Sequence, residues 1–495
     1  MNLPFAHIFK SQLFKNSVWT LADVVSYPLL MIVATPFFIN QLGSEQYGLW
    51  MLINVIVQVM NGLNFGLGDS TIKEVSKYKA TNAFERLNSS FNRNLSLSII
   101  LLLCCLILGF ISTKVIAYNN WFHIKPADMQ KAMLTLFLFA FSAGLKFVEM
   151  VFLSVFKGLQ RFDIAARLSI LSRLSVLCSS ILVVWMGYDV LMIVKVTLWV
   201  NAFNLIVQSV VVLKYSPVVS LIPRFKRTSF AGIFENNGWY WLQSVIALFG
   251  FLGDRIIIGQ LSDLKTLGYY SIAALVGSQI HNVLLTFGAF FFPKVSANEA
   301  LQKGSNEVYY LARFLIAGLG WLVIIVLLVF GGFIFQWWLG EAIFAQSYRY
   351  IKLYLAFASV ILLIIVPYYF LNGSQFVRLN SLFEIVLRGS HIVSMYFSYI
   401  YFGMEGLLWA LIITTILNIP FQYYLFNRLV LKEHHILECI YPLLPALFIV
   451  ALVFSNTFWV SLLISLLTIV TFNWVYYSKA AGMIKNFMLK SNEQN

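Results

Sequence analysis

The chain reads as a succession of apolar runs, each about 20 residues long, parted by short polar breaks. They fall near 18–39, 47–66, 94–117, 130–156, 164–187, 190–213, 236–258, 267–291, 309–334, 349–371, 379–401, 406–427, 437–454 and 457–477. Inside hydrocarbon every backbone N–H and C=O must be bonded within the protein, which leaves helices or a closed barrel. Barrel strands alternate polar and apolar positions, whereas these runs are continuously apolar, so helices are selected. Composition points the same way, with 60% hydrophobic and 11% charged residues against about 25% charged in soluble domains. The mean hydropathy is +0.82. The expected fold class is an all-α polytopic membrane protein of about 14 transmembrane helices.

The net charge of +14 has the sign a nucleic-acid binder would have, but its placement excludes that partner. Basic residues gather in alternate short connections: Lys73, Lys77, Lys79, Arg86 and Arg93, then Lys157, Arg161 and Arg167, and so on to Lys479, Lys485 and Lys490. Counted over the whole chain, one side holds about 23 lysines and arginines and the other about 6. That bias places both termini in the cytoplasm and makes the number of passes even. The basic side also suits contact with anionic lipid headgroups. Lys10 and Lys15 precede the first run with no small-residue cleavage site after it, so the run is expected to be retained. Cys104, Cys105 and Cys178 lie inside runs and Cys439 at the edge of one, which is neither a disulfide framework nor a zinc spacing. Neither a Walker A motif nor paired carboxylates at a helix end occur, so no covalent chemistry, cofactor or metal is expected.

Sliding the chain against itself by about 215 to 222 positions reveals a repeat. Gln41-Leu42 matches Gln260-Leu261, with Tyr47-Gly48 and Gly268-Tyr269 following; Val75-Ser76 matches Val295-Ser296. The segment from Gly158 through Gln160 to Arg173 matches Gly373 through Gln375 to Arg388. Six passes separate equivalent positions, so the copies share one orientation, a parallel repeat. The expected organisation is a six-helix lobe over 1–215, a second over 216–431, and a helix pair with a tail over 432–495. No connection exceeds roughly 30 residues, so function must reside within the membrane. Pro36 and Pro367 fall inside runs and free a carbonyl one turn earlier, with or without a role in gating.

Ionisable side chains at mid-depth cost about 2.5–3.5 kcal/mol on insertion scales and so face protein or a watery cavity. They are Asp23, Lys146, Glu149, Arg173, Lys195, Asp254, Arg255, Glu384 and Arg388. Lys146/Glu149 and Glu384/Arg388 are spaced to neutralise each other along one helix face. Asp254 and Arg255 lie near the outer end, where snorkelling to headgroups is cheap. Arg173 has no acid three or four residues away and has Arg388 as its repeat partner, so it either binds an anionic group or pairs with a carboxylate on another helix. Arg173, Arg388 and Lys146 are therefore candidates for gripping a phosphate. Asp23, Glu149 and Glu384 are candidates for carrying H⁺ or Na⁺. His281 and His391 read as core histidines, and Glu433-His434-His435-x-x-Glu438 as an interfacial stretch matching no zinc spacing. Trp121 and Trp337-Trp338 fit an interfacial belt.

The segment Gln41-Leu42-Gly43-Ser44-Glu45-Gln46-Tyr47-Gly48-Leu49-Trp50 resembles the LG-x-E-x-YG turn of the polysaccharide flippases, the Wzx-like branch of the MATE-related MOP exporter superfamily. Asp254-Arg255 through Leu267-Gly268-Tyr269-Tyr270-Ser271-Ile272-Ala273 resembles the second-half counterpart. The resemblance implies two lobes around a central cavity opening alternately to each side, and transport of an undecaprenyl-diphosphate-linked oligosaccharide to the periplasmic face of a bacterial inner membrane. It implies O-antigen, capsule or a related surface polymer as the destination, membrane lipids as neighbours, H⁺ or Na⁺ as a coupling ion, and a polymerase and chain-length regulator as partners. A MATE-type multidrug exporter and a lipid II flippase share the plan. A membrane polymerase or ligase would carry a sizeable outer loop, and none is present.

Overall fold

The computed structural model describes residues 12–62, 67–119, 126–218, 220–223, 252–289, 306–374, 376–432, 439–455 and 457–477, with a few positions between 245 and 250. Every element with regular structure among them is helical. The first, α1, runs Gln12–Gly62, 51 residues. A straight helix of that length would be about 75 Å long, more than twice the thickness of the bilayer core, so it must fold back. It does so at Gly43, with φ 78° and ψ 158°. The same device recurs in α12, Val377–Phe426, at Gly403 with φ 64° and ψ −153°. Space around both glycines is open, so the turn requires their positive φ and not their small size.

Between these lie α2 (Leu67–Ala80), α3 (Phe84–Asn119), α4 (Pro126–Gly158), α5 (Phe162–Trp185), α6 (Val190–Tyr215), α7 (the described helical stretch 252–261), α8 (Leu264–Ala289), α9 (Asn306–Val329), α10 (Gly331–Leu339) and α11 (Glu341–Gly373). The chain closes with α13 (Leu444–Ala451) and α14 (Phe458–Phe472). Nine described helices are long and apolar enough to cross a membrane, and the 55 residues Val377–Leu431 hold two passes. With the doubled α1, the chain is a multi-pass membrane protein of about fourteen passes, as its hydropathy implies. Asp189 caps α6 by accepting from Met192 N–H at 3.2 Å. Asp263 caps α8 through Thr266 N–H at 2.6 Å. The hydrogen bonds of Thr266 hold the Asp263 carboxyl below its ordinary range.

Several segments differ from the hydropathy reading, two of them at the start of the first unit's second and third helices. Residues 67–80, expected as a loop, form α2, and α3 starts ten residues before the expected 94. Hydropathy detects immersion in lipid, whereas α2 is a helix of mixed character. Leu67, Thr71 and Val75 are buried along one face, and Lys73, Lys77 and Lys79 are exposed on the other.

The chain forms two compact units, dividing between Gly268 and Tyr269. The first unit extends beyond α6 because the start of α8 packs on α1 nearly backbone to backbone. A Cβ on Gly48 would lie 1.8 Å from the Leu264 carbonyl oxygen, and one on Gly268 would lie 2.4 Å from that of Ser44. At its basic end, α2, α3 and α4 enclose a core containing Leu87, Phe91, Phe152, Val155 and Phe156. Glu74 of α2 takes hydrogen bonds from Ser90, Arg93 and Asn94 of α3 there.

In the second unit α11 is buried almost throughout. Pro367 deprives the Leu363 carbonyl of its intrahelical donor, and the hydroxyl of Tyr423 on α12 supplies the replacement at 2.9 Å. Trp321 of α9 donates to the Ser359 carbonyl of α11 at 2.8 Å. The buried guanidinium of Arg313 lies over three tyrosine rings, Tyr309, Tyr423 and Tyr476, at 5.8, 5.6 and 4.4 Å.

Candidate functional site

A cavity of about 580 Å³ lies within the first unit, walled by α1, α4, α5 and α6. The α4 wall consists of Phe139, Ser142, Ala143, Lys146, Glu149, Met150, Leu153, Ser154 and Lys157, a stripe at three- and four-residue spacing that presents one helix face. Ser169, Arg173, Val176, Leu177 and Ser180 repeat the pattern on α5, as do Ile193, Thr197 and Asn201 on α6. Facing them, α1 contributes Asp23, Asn54, Gln58 and the ring of Trp50. The lining therefore mixes apolar and aromatic surface with amides, hydroxyls and five ionisable groups. That combination suits a polar, uncharged or weakly anionic group with faces to stack and edges to hydrogen-bond.

The deep charges are paired. Arg173, twelfth of the 24 residues of α5, meets the Asp23 carboxylate of α1 at 3.1 Å. It also donates to the Asp23 carbonyl, and to Ser26 Oγ at 3.0 Å. Of the two arrangements open to Arg173 in the sequence, the structure shows the pair with a carboxylate on another helix. Lys146 Nζ lies 2.6 Å from Glu149, the expected spacing along one face, and Gln208 of α6 donates to the same carboxylate at 3.0 Å. Around them Asn201 donates to Ser142 at 2.7 Å, and Asn204 to Ser175 at 3.0 Å.

The remaining candidates lie elsewhere. Glu384 and Arg388 form the expected pair on α12 at 3.1 Å, with side chains only 5% and 6% exposed. Arg388 and Arg173 thus share a repeat position but not an environment, since the Arg173 side chain is 31% exposed and lines the cavity. Lys195 is exposed on α6, off the stripe through Ile193, Thr197 and Asn201. Asp254 and Arg255 do not snorkel: both are buried, and Asp254 accepts from the Arg255 N–H at 2.7 Å. Position near a helix end had suggested access to headgroups, but the surrounding protein closes over them. His391 is a core histidine bonded to Thr415 Oγ1 at 2.9 Å, and His281 is buried. Trp337 is exposed at the end of α10, as a belt residue would be. Trp121 and the Glu433–Glu438 stretch lie outside the described residues.

Sequence reasoning missed Asn54, Gln58, Ser142, Asn201 and Lys157 as cavity residues. The first four are uncharged and so raise no alarm in an apolar run. Lys157 fell one residue past the expected end of its helix and was counted only as a topology charge.

Residues 13–299 match the family described as polysaccharide biosynthesis protein. The chain belongs to that family. Among curated proteins the chain is similar to the Shigella flexneri protein named "Putative O-antigen transporter", 22% identical over 426 residues, or 84% of this chain and 98% of the relative. Among solved structures, an outward-facing multidrug resistance MATE family transporter of the MOP superfamily matches with a TM-score of 0.61 at 13% identity, covering 85% of this chain and 96% of the other. Its inward-facing counterpart gives 0.60 at 14% over 85% and 96%. A MOP superfamily transporter from Pyrococcus furiosus gives 0.57 at 12% over 85% and 96%. At such identities the likeness establishes the fold, which is MATE-like, as the resemblance carried by the segments 41–50 and 254–273 implied.

Proposed function

We propose that this member of the polysaccharide biosynthesis family is a flippase that carries an undecaprenyl-diphosphate-linked oligosaccharide across the bacterial inner membrane, from the cytoplasmic to the periplasmic face, by alternating access. The observation that carries the reading is the cavity of about 580 Å³, whose amide and hydroxyl lining and paired deep charges suit a sugar headgroup removed from water. The polyprenyl tail stays in lipid. On this reading the protein acts as a carrier and performs no covalent chemistry. Family membership and the Shigella relative support the substrate class; the MATE-like fold supports the carrier mechanism.

The reading organises the chain as two six-helix lobes, 1–215 and 216–431, with a closing helix pair from 432, both termini cytoplasmic, and a polymerase and chain-length regulator receiving the product. Asp23 and Glu149 are the cavity carboxylates, and each is held by a cation. Protonation of either would release its partner, which is a means of coupling to H⁺. The drug-exporter alternative fits less well, because two carboxylates against three cations leave the lining net positive, opposed to cationic drugs.

Deleting the gene in its host tests the reading directly. Surface polysaccharide should disappear while the lipid-linked repeat unit accumulates on the cytoplasmic leaflet, protected from a periplasmic glycosidase. An unchanged surface polymer, or an intermediate fully open to the glycosidase, would sink it. Cysteine labelling should find Ser44 and Tyr188 outside and Lys79 inside; access to Lys79 from the periplasm would overturn the orientation.

A further inference from the structure

The charges of the cavity are distributed unevenly. Asp23 with Arg173, and Glu149 with Lys146, cancel locally, which leaves one positive charge, that of Lys157. Among the described residues its ammonium has no carboxylate and no hydrogen-bond acceptor. It stands eleven residues after Lys146 on α4, three turns plus about 20°, so the two share a face about 16 Å apart along the axis. Lys146 is deep in the wall, whereas Lys157 is in the last turn of α4, at the basic end of the unit.

The local fold holds Lys157 in place. Gly158 closes α4 under α2, where a Cβ would strike Val75 Cβ at 2.8 Å and the Ile72 carbonyl at 2.9 Å. Two carbonyls at the helix end are already taken, Gly158 O by Ser76 Oγ at 2.9 Å and Leu159 O by Lys79 Nζ at 2.8 Å. Lys157 therefore leaves those carbonyls to other donors and lines the cavity. An unpaired cation is tolerated at this depth because water and headgroups reach it, while a deep one must be paired. A phosphate arriving from the basic side meets Lys157 without breaking an existing ion pair. Reaching Arg173 or Lys146 would first require separating an ion pair.

We propose that Lys157 is a binding residue for the phosphate ester of a lipid, the contact by which the cavity first holds its substrate's diphosphate while the sugars enter between the paired charges. The inference rests on the flippase reading and adds to it a docking position and an order of events.

Purified protein in phosphatidylcholine nanodiscs, titrated with farnesyl diphosphate and separately with farnesol, tests it. Wild type should bind the diphosphate more tightly than the alcohol, and Lys157→Gln should weaken diphosphate binding about ten-fold while leaving farnesol unchanged. Lys157→Arg, which keeps the charge, should stay within about two-fold of wild type. Repeating the titration in phosphatidylglycerol discs separates the sources: if diphosphate affinity then falls in wild type but not in Lys157→Gln, the lysine also takes bulk headgroups. An unchanged diphosphate affinity in Lys157→Gln, or an equal loss in Lys157→Arg, overturns the proposal and leaves the flippase reading intact. Wild-type protein that binds diphosphate no better than farnesol overturns both.

Discussion

Among the described residues, the first unit sets two ion pairs, Asp23 with Arg173 and Glu149 with Lys146, in the wall of a cavity of about 580 Å³, while the second encloses the pair of Glu384 and Arg388 in packed protein. Arg173 and Arg388 correspond in the repeat, yet one is 31% exposed and the other 6%. Their carboxylates differ in the same way. Asp23 reaches Arg173 from another helix across the cavity wall, whereas Glu384 lies one turn from Arg388 on its own helix. The two positions that match in sequence therefore differ in chemistry. Of the two arginines that the sequence repeat aligns, Arg173 is the one that lines the described cavity.

The largest effect that would break this contrast is expected at Arg388. Its removal as Arg388→Ala leaves Glu384 charged and buried, at a cost of about 3–5 kcal/mol. Membrane abundance and the thermal midpoint in detergent should fall sharply, and replacing both partners with Glu384→Leu and Arg388→Met should recover most of the loss. Normal abundance of Arg388→Ala would mean that Glu384 is not enclosed as its 5% exposure implies. Arg173→Ala should cost less, about 1.5–3 kcal/mol, because cavity water can solvate Asp23. It should leave abundance near normal yet reduce surface polymer, and polymer output measured against abundance separates the two arginines.

How much of this was legible depends on the range of the signal. Passes are encoded in continuous hydropathy, and the pairs Lys146/Glu149 and Glu384/Arg388 in helical spacing, so both are local and both were readable. The partner of Arg173 is 150 residues away, and only folding brings it near. The helix α2 escaped because its buried face of Leu67, Thr71 and Val75 is too thin to raise hydropathy. Lys157 had a signal after all: the stripe from Phe139 through Lys146 to Leu153 reaches it if the helix is continued by one turn. The burial of Asp254 and Arg255 had none, since depth along a helix says nothing of which neighbours cover it.

Smaller effects sharpen the picture in the second unit. Tyr423→Phe should strand the Leu363 carbonyl and cost about 1–3 kcal/mol, read as a lower thermal midpoint with little change in export per folded molecule. Gly43→Ala and Gly403→Ala should each cost about 1 kcal/mol through positive φ. Because both turns stand in open space, the two values should be nearly equal, and a marked inequality would show that the units differ in their turns as well as in their centres.

The hydroxyl that crosses from α12 to the proline-broken carbonyl of α11 ties two distant positions into one evolutionary unit. A chain in which residue 367 regained an N–H would satisfy the Leu363 carbonyl from within its own helix, and tyrosine at 423 would then be free to drift to phenylalanine. Such a protein could lose both residues together more easily than the tyrosine alone, so among relatives the proline and the hydroxyl should be inherited as a pair.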